Sequence, residues 1–161
     1  KRNRVGAGVL QQYARSGLLN GVYLVSNNSL QEIVGEAPLA SYYSKMNELI
    51  FNCVHSMNVF AHTEPIFGQL HEPKGISRIR TFSFSETKKN EKKMFFPLDN
   101  VTETCYINNI NKREIENNSN LISEIKSKLD DDIISSFTVY ESPYEQSYAY
   151  GIHYTHYIQE V

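Results

Sequence analysis

The chain has 161 residues, 40% of them hydrophobic and 21% charged, which fits one globular domain and excludes the disordered class. A net charge of -2 lacks the strongly basic balance of a dedicated nucleic-acid binder, and no run of about 18 apolar residues is present to span a membrane. A chain of this length buries about two thirds of its unfolded surface, so it needs neither a disulfide framework nor a structural metal.

Val5, Val9 and Tyr13, with Leu10 beside them, form an apolar stripe that predicts a helix over residues 5–18. Gly6 and Gly8 weaken its start, and Gly17 with Asn20-Gly21 ends it. Residues 22–25 and 30–34 are β-prone runs flanking Ser26-Asn27-Asn28-Ser29. Asn tolerates positive φ, so this segment reads as a hairpin.

Pro38 opens the strongest helical pattern, which runs to Met57. Leu39, Tyr42, Met46, Leu49, Cys53 and Met57 recur at steps of three and four, with Tyr43 and Ile50 widening the face. Residues 58–75 are rich in Pro and Gly and read as loop. Residues 76–84 alternate as a strand, but Arg78 and Arg80 share a parity with Phe82 and Phe84, so neither face is marked as the core. Lys88, Lys89, Lys92 and Lys93 suit a solvated tip, and 94–98 and 104–107 are short strands.

Asn111 with Glu114 resembles a capping box opening a long helix to about residue 134. Ile122, Ile125, Leu129 and Ile133 would be its buried stripe, and Glu124 with Lys128 its surface pair. Two final strands, 137–141 and 147–158, are joined around Ser142-Pro143 as a hairpin. The resulting expectation is an α+β fold. A mainly antiparallel sheet of five to seven strands packs on one side against two long amphipathic helices, with a shorter N-terminal helix besides. The first residue is Lys1 rather than Met, so residues 1–161 are expected to be a single domain from a longer chain.

Chemistry-bearing residues are scattered. His153-Tyr154-Thr155-His156 lies in a strand-like pattern, where residues three apart face opposite ways and do not share a metal. His153-x-Thr155 matches half of a paired phosphoesterase element. Its second copy is missing, because His62-Thr63-Glu64 and His71-Glu72-Pro73 break the pattern. His55, His62, Glu64, His71 and Glu72 have no recognisable metal spacing. Cys53 and Cys105 read first as two free thiols, with one disulfide between them left open for an oxidising compartment, and three glycosylation sequons are about what chance supplies.

Tyr140, Tyr144, Tyr148, Tyr150 and Tyr154 share one parity and read first as a sheet face packed under helices, then as an interface. No P-loop, dinucleotide fingerprint, nucleophile elbow or calcium loop is present, and Asp130-Asp131-Asp132 ends a helix instead. No catalytic residue, metal ligand or cofactor is assigned.

The expected function is a non-enzymatic binding, sensing or protein-interaction module of a larger protein. Tyr140, Tyr148, Tyr150, Tyr154, His153, His62 and His71 are its ligand or interface candidates. Its partner is another protein, including a second copy, or a small molecule. The segment itself does not contact a membrane, although an anchor before Lys1 is compatible with it, and the compartment leans to extracytoplasmic. The alternatives are a small hydrolase using the histidines and a nucleic-acid-binding domain using Arg78, Arg80 and the lysines with Phe82 and Phe84.

Overall fold

The computed structural model describes residues 2–86 and 92–161. Its elements are α1 (Arg2–Ser16), β1 (Val22–Tyr23), α2 (Asn27–Val34), α3 (Leu39–Ala61), β2 (Phe67–Gln69), β3 (Ile79–Glu86), β4 (Lys93–Met94), β5 (Glu103–Asn111), α4 (Lys112–Asn117), α5 (Leu121–Ser127), β6 (Ile134–Ser142) and β7 (Tyr148–Thr155). Among the described residues, seven strands form one sheet in the order β1-β3-β7-β5-β6-β2, with β4 also on β3. Lys88 and Lys89 of the expected tip lie outside the described residues.

The α+β class holds, but the sheet is mixed rather than mainly antiparallel. β1 runs parallel to β3, and β5 runs parallel to β6. The expected terminal hairpin does not form: β5 inserts between β6 and β7 and pairs with both. Parallel neighbours need a crossover of a dozen or more residues, and the segment carrying α4 and α5 supplies it.

That segment was expected as one long helix, and it is two short ones. Asn111 caps the first as anticipated, its side chain accepting from the Glu114 N–H at 3.1 Å. The break falls at Asn118, whose Oδ1 accepts from Asn120 N at 3.0 Å while its Nδ2 donates to Glu124 at 3.0 Å. Such local bonds compete with the helical ladder. Asp130 Oδ1 accepting from Asp132 N at 3.0 Å turns the chain again after α5.

The expected hairpin at 22–34 is also corrected. Only Val22–Tyr23 is a strand, and Asn27–Val34 is a helix with Ser26 as its N-cap. Leu30, Ile33 and Val34 then fall at helical spacing against the main core, where Leu30 is fully buried. The Ser26 cap is long, 3.5 Å from its Oγ to Ser29 N. Ser26→Ala is therefore expected to lose about 0.5–1 kcal/mol. A urea titration with unchanged slope should read the loss as a lower midpoint; an unmoved midpoint would mean that burial of Leu30 alone holds α2.

Helices cover both faces of the sheet, not one. Phe82, Cys105, Tyr150, Ile152 and Tyr154 pack under Leu30, Met46 and Cys53 from α2 and α3. On the opposite face Ile110 and Val139 pack against Leu121 and Ile125 of α5. Double coverage buries β5 from Glu103 to Ile110 without alternation. It also explains why β3 showed no marked core face, since Ile79 and Phe82 are buried on opposite sides. Edge strand β2 approaches β6 closely at Gly68, where φ is 80° and a Cβ would meet the Phe137 carbonyl.

α1 forms where expected, but its face is inverted. Val5, Val9 and Tyr13 are 69%, 43% and 46% exposed, whereas Gln11 and Ala14 are fully buried. Gln11 makes the reason plain: its Nε2 donates to the Gln159 carbonyl at 3.1 Å and its Oε1 accepts from Gln159 N at 2.7 Å. This two-way bond satisfies one residue's whole backbone, so the amide, not the apolar stripe, turns inward.

Candidate functional site

The histidines do not converge. His55 stacks on Phe51 at 5.6 Å on α3, His62 is the exposed C-cap of α3, and His156 packs tilted against Tyr157 at 4.2 Å. Glu64 and Glu72 are exposed. Among the described residues no three of His, Cys, Asp and Glu are placed to hold a metal ion.

His71 finds partners. Its Nε2 lies 3.0 Å from Glu103 Oε2, and its Nδ1 lies 2.7 Å from Ser136 Oγ. A carboxylate only accepts, so Nε2 donates to it, while Nδ1 faces the serine hydroxyl. Serine, histidine and carboxylate are the groups of hydrolytic triads, yet each is already occupied. Ser136 Oγ takes the His71 backbone N–H at 3.0 Å, and Glu103 takes Ser77 Oγ at 2.9 Å and Lys74 N at 3.1 Å. Glu103 is 1% exposed. The arrangement fastens the 71–77 segment to β5 and β6.

Cys105 lies beside this clasp, its Sγ 3.4 Å from Ser136 Oγ. Cys105 and Cys53 are free and buried. Burial raises both thiols, Cys53 to about 12, so neither is a thiolate nucleophile at neutral pH.

His153 and Thr155 share a face of β7 and are buried. His153 Nε2 bonds Ser83 Oγ at 2.7 Å, and Thr155 Oγ1 donates to the Asn100 carbonyl at 2.8 Å. Burial first, then the charge of Lys92, lowers His153 to about 4. It is a neutral core imidazole at pH 7.

Two of the basic residues, Arg80 and Lys92, are engaged within the fold. The Arg80 guanidinium lies 5.6 Å from the Tyr23 ring centre and 5.2 Å from that of Tyr154, and donates to the Asn20 carbonyl at 3.2 Å. Lys92 sits 4.6 Å over Tyr106. Phe82, 3% exposed, is core and offers no stacking surface.

The tyrosines do come together. Tyr148, Tyr150 and Tyr154 line one face of β7, with Tyr140 of β6 on the same side. Tyr140, Tyr150 and Tyr154 are buried, the packing that parity suggested. Tyr140 Oη donates between the Phe60 and Thr63 carbonyls, 3.2 Å from each, anchoring the end of α3. Where α3 runs off the sheet, Tyr140, Tyr144, Tyr148 and Tyr150 line a cleft of roughly 720 Å³ together with His55 and Asn109. Burial raises the Tyr140, Tyr148 and Tyr150 hydroxyls, Tyr150 to about 12, so these rings are neutral phenols.

Residues 104–107 read as a strand, but Glu103, Asn109 and Ser136 were not singled out as site residues. The usable signal was polarity inside the run from Glu103 to Ile110, where a carboxylate and Asn108-Asn109 occupy positions that strands rarely give them.

No protein-family model matches the sequence, and neither does any curated protein. Solved structures match in fold. An FtsZ mutant from M. jannaschii superposes with a TM-score of 0.58 at 14% identity, over 92% of this chain and 52% of that one. TubZ of Bacillus thuringiensis serovar israelensis, in a GTPyS-form protofilament, gives 0.60 at 12% identity over 93% and 47%. CetZ from Methanosaeta thermophila gives 0.54 at 14% over 86% and 43%. The architecture is thus similar to the FtsZ/tubulin-like folds, and the chain spans about half the length of these structures.

Proposed function

We propose that this chain is a protein-interaction module of a larger FtsZ/tubulin-like protein, supplying packing surface for assembly rather than reactive groups. The outward apolar stripe of α1 carries the reading. Val5, Val9, Leu10 and Tyr13 are all at least 43% exposed on one helix, and a contiguous exposed apolar stripe of this kind marks an interaction surface. Two further observations support it: the segment spans about half of its structural neighbours, and one of those, TubZ, is seen as a protofilament and in a two-stranded filament.

The test uses the full-length protein carrying Val5→Glu and Val9→Glu. Both side chains are exposed, so the stability of this segment should hold to within about 0.5 kcal/mol. Sedimentation velocity should show assembly for the natural protein and association weakened at least roughly tenfold, about 1.4 kcal/mol, for the double variant. Assembly undiminished by the two glutamates would overturn the reading.

A further inference from the structure

The cleft at the end of α3 has a second, independent content. It joins three kinds of group suited to holding one ligand. The first is aromatic surface: Tyr148 and Tyr150 meet edge to face at 5.4 Å, and Phe60 lies over Tyr140 at 4.4 Å. Tyr144, at 66% exposure, stands at the mouth. The second is negative charge, from Glu64, Glu86 and Glu141 in the lining; no lysine or arginine lines the cleft among the described residues.

The third is Asn109. It lines the cleft at 2% exposure, and its Nδ2 has no hydrogen-bond partner among the described residues. A buried amide donor is almost always paired in a finished structure. The residue lines the cleft but this atom is shielded from solvent, so an acceptor in the cleft completes it only when the amide turns outward.

The geometry points to a site for a small organic cation that also carries a hydrogen-bond-accepting oxygen: the cation over the tyrosine faces and beside Glu64 and Glu141, the oxygen on Asn109 Nδ2. Ring quadrupoles attract cations and carboxylates reinforce them. The volume of roughly 720 Å³ lies in the range of small-molecule sites. The surface on α1 proposed for assembly is not involved, so either reading can fail without the other.

Three probes separate the elements by NMR titration of tyrosine ring signals in residues 1–161. Choline has both cation and oxygen, tetramethylammonium lacks the oxygen, and 3,3-dimethylbutan-1-ol lacks the charge. Choline is expected to shift cleft tyrosines saturably, with the neutral alcohol at least about tenfold weaker and tetramethylammonium intermediate. Tyr144→Ala removes an exposed ring without disturbing the core and should weaken choline severalfold. Asn109→Ala should erase the advantage of choline over tetramethylammonium. Choline that shifts no cleft tyrosine at millimolar concentration, or an alcohol binding as well as choline, would overturn the assignment. So would Tyr144→Ala binding choline as the natural chain does.

Discussion

Glu103→Leu is expected to destabilise the protein by about 3 kcal/mol, because three donors are left facing an apolar side chain in a buried site. The carboxylate receives His71 Nε2 at 3.0 Å, Ser77 Oγ at 2.9 Å and the Lys74 backbone N–H at 3.1 Å. His71 can turn to water, its side chain being 25% exposed, so its part of the loss is discounted. Ser77, at 1% exposure, has only Thr102 Oγ1 at 3.4 Å to fall back on. For a chain of this size the thermal midpoint should fall by roughly 6–12 °C. Glu103→Gln keeps an acceptor oxygen and should lose less than half as much. Hydrogen exchange should rise first at 71–77, the segment the clasp holds. A midpoint within 2 °C of the natural one would show that packing, not the clasp, positions this segment.

What the sequence conveyed depends on how local each cause was. α3 was legible because Tyr42, Met46, Leu49, Cys53 and Met57 repeat their spacing over many turns and pack toward the core, whereas Leu39 and Tyr43, assigned to the same face, are 85% and 66% exposed. α2 was not, because its segment carries two patterns at once. Asn27-Asn28 suits a turn, while Leu30, Ile33 and Val34 suit a helical face. Contact with Met46 and Phe95 in the same cluster decides between them, and that contact is tertiary. Gln11 is a similar case: nothing near it in sequence announces that Gln159, 148 positions away, will take its amide.

Topology failed for a related reason. Reading β6 and β7 as a hairpin assumed that strands adjacent in sequence pair, the usual outcome. Here β5 pairs with both, because β7 runs antiparallel to β5 and to β3 while β6 returns parallel to β5. The parity of the tyrosines survives this rearrangement, since alternation is a property of one strand and not of its neighbours. Tyr148, Tyr150 and Tyr154 were therefore placed on one face without knowing the sheet. The clasp could not be placed, because His71, Glu103 and Ser136 meet only through strand order, with separations of 32 and 65 positions.

His153 gives the other large effect, and its sign follows from where the proton is refused. The imidazole is 1% exposed, between Ser83 on β3 and Tyr106 on β5, whose ring meets it edge to face at 5.8 Å. Nδ1 has no partner among the described residues, so a proton added there finds no acceptor. The nearby positive charge is Lys92, held over the Tyr106 ring. Burial and this charge lower His153 from 6.5 to about 4. As pH falls through 6.5 the unfolded chain takes up a proton that the folded chain refuses until about 4. Stability is therefore present above 6.5, is lost across that window, and falls no further once the folded form also protonates. The loss is about 3 kcal/mol at one proton per site. His153→Gln keeps a donor for Ser83 and cannot titrate. Urea midpoints from pH 7 to pH 4 should fall more steeply for the natural chain than for this variant, the difference growing through the window. Lys92→Met should narrow the window slightly by raising the folded value. Parallel midpoint curves for the natural chain and His153→Gln would mean that the buried imidazole accepts its proton at the ordinary pH.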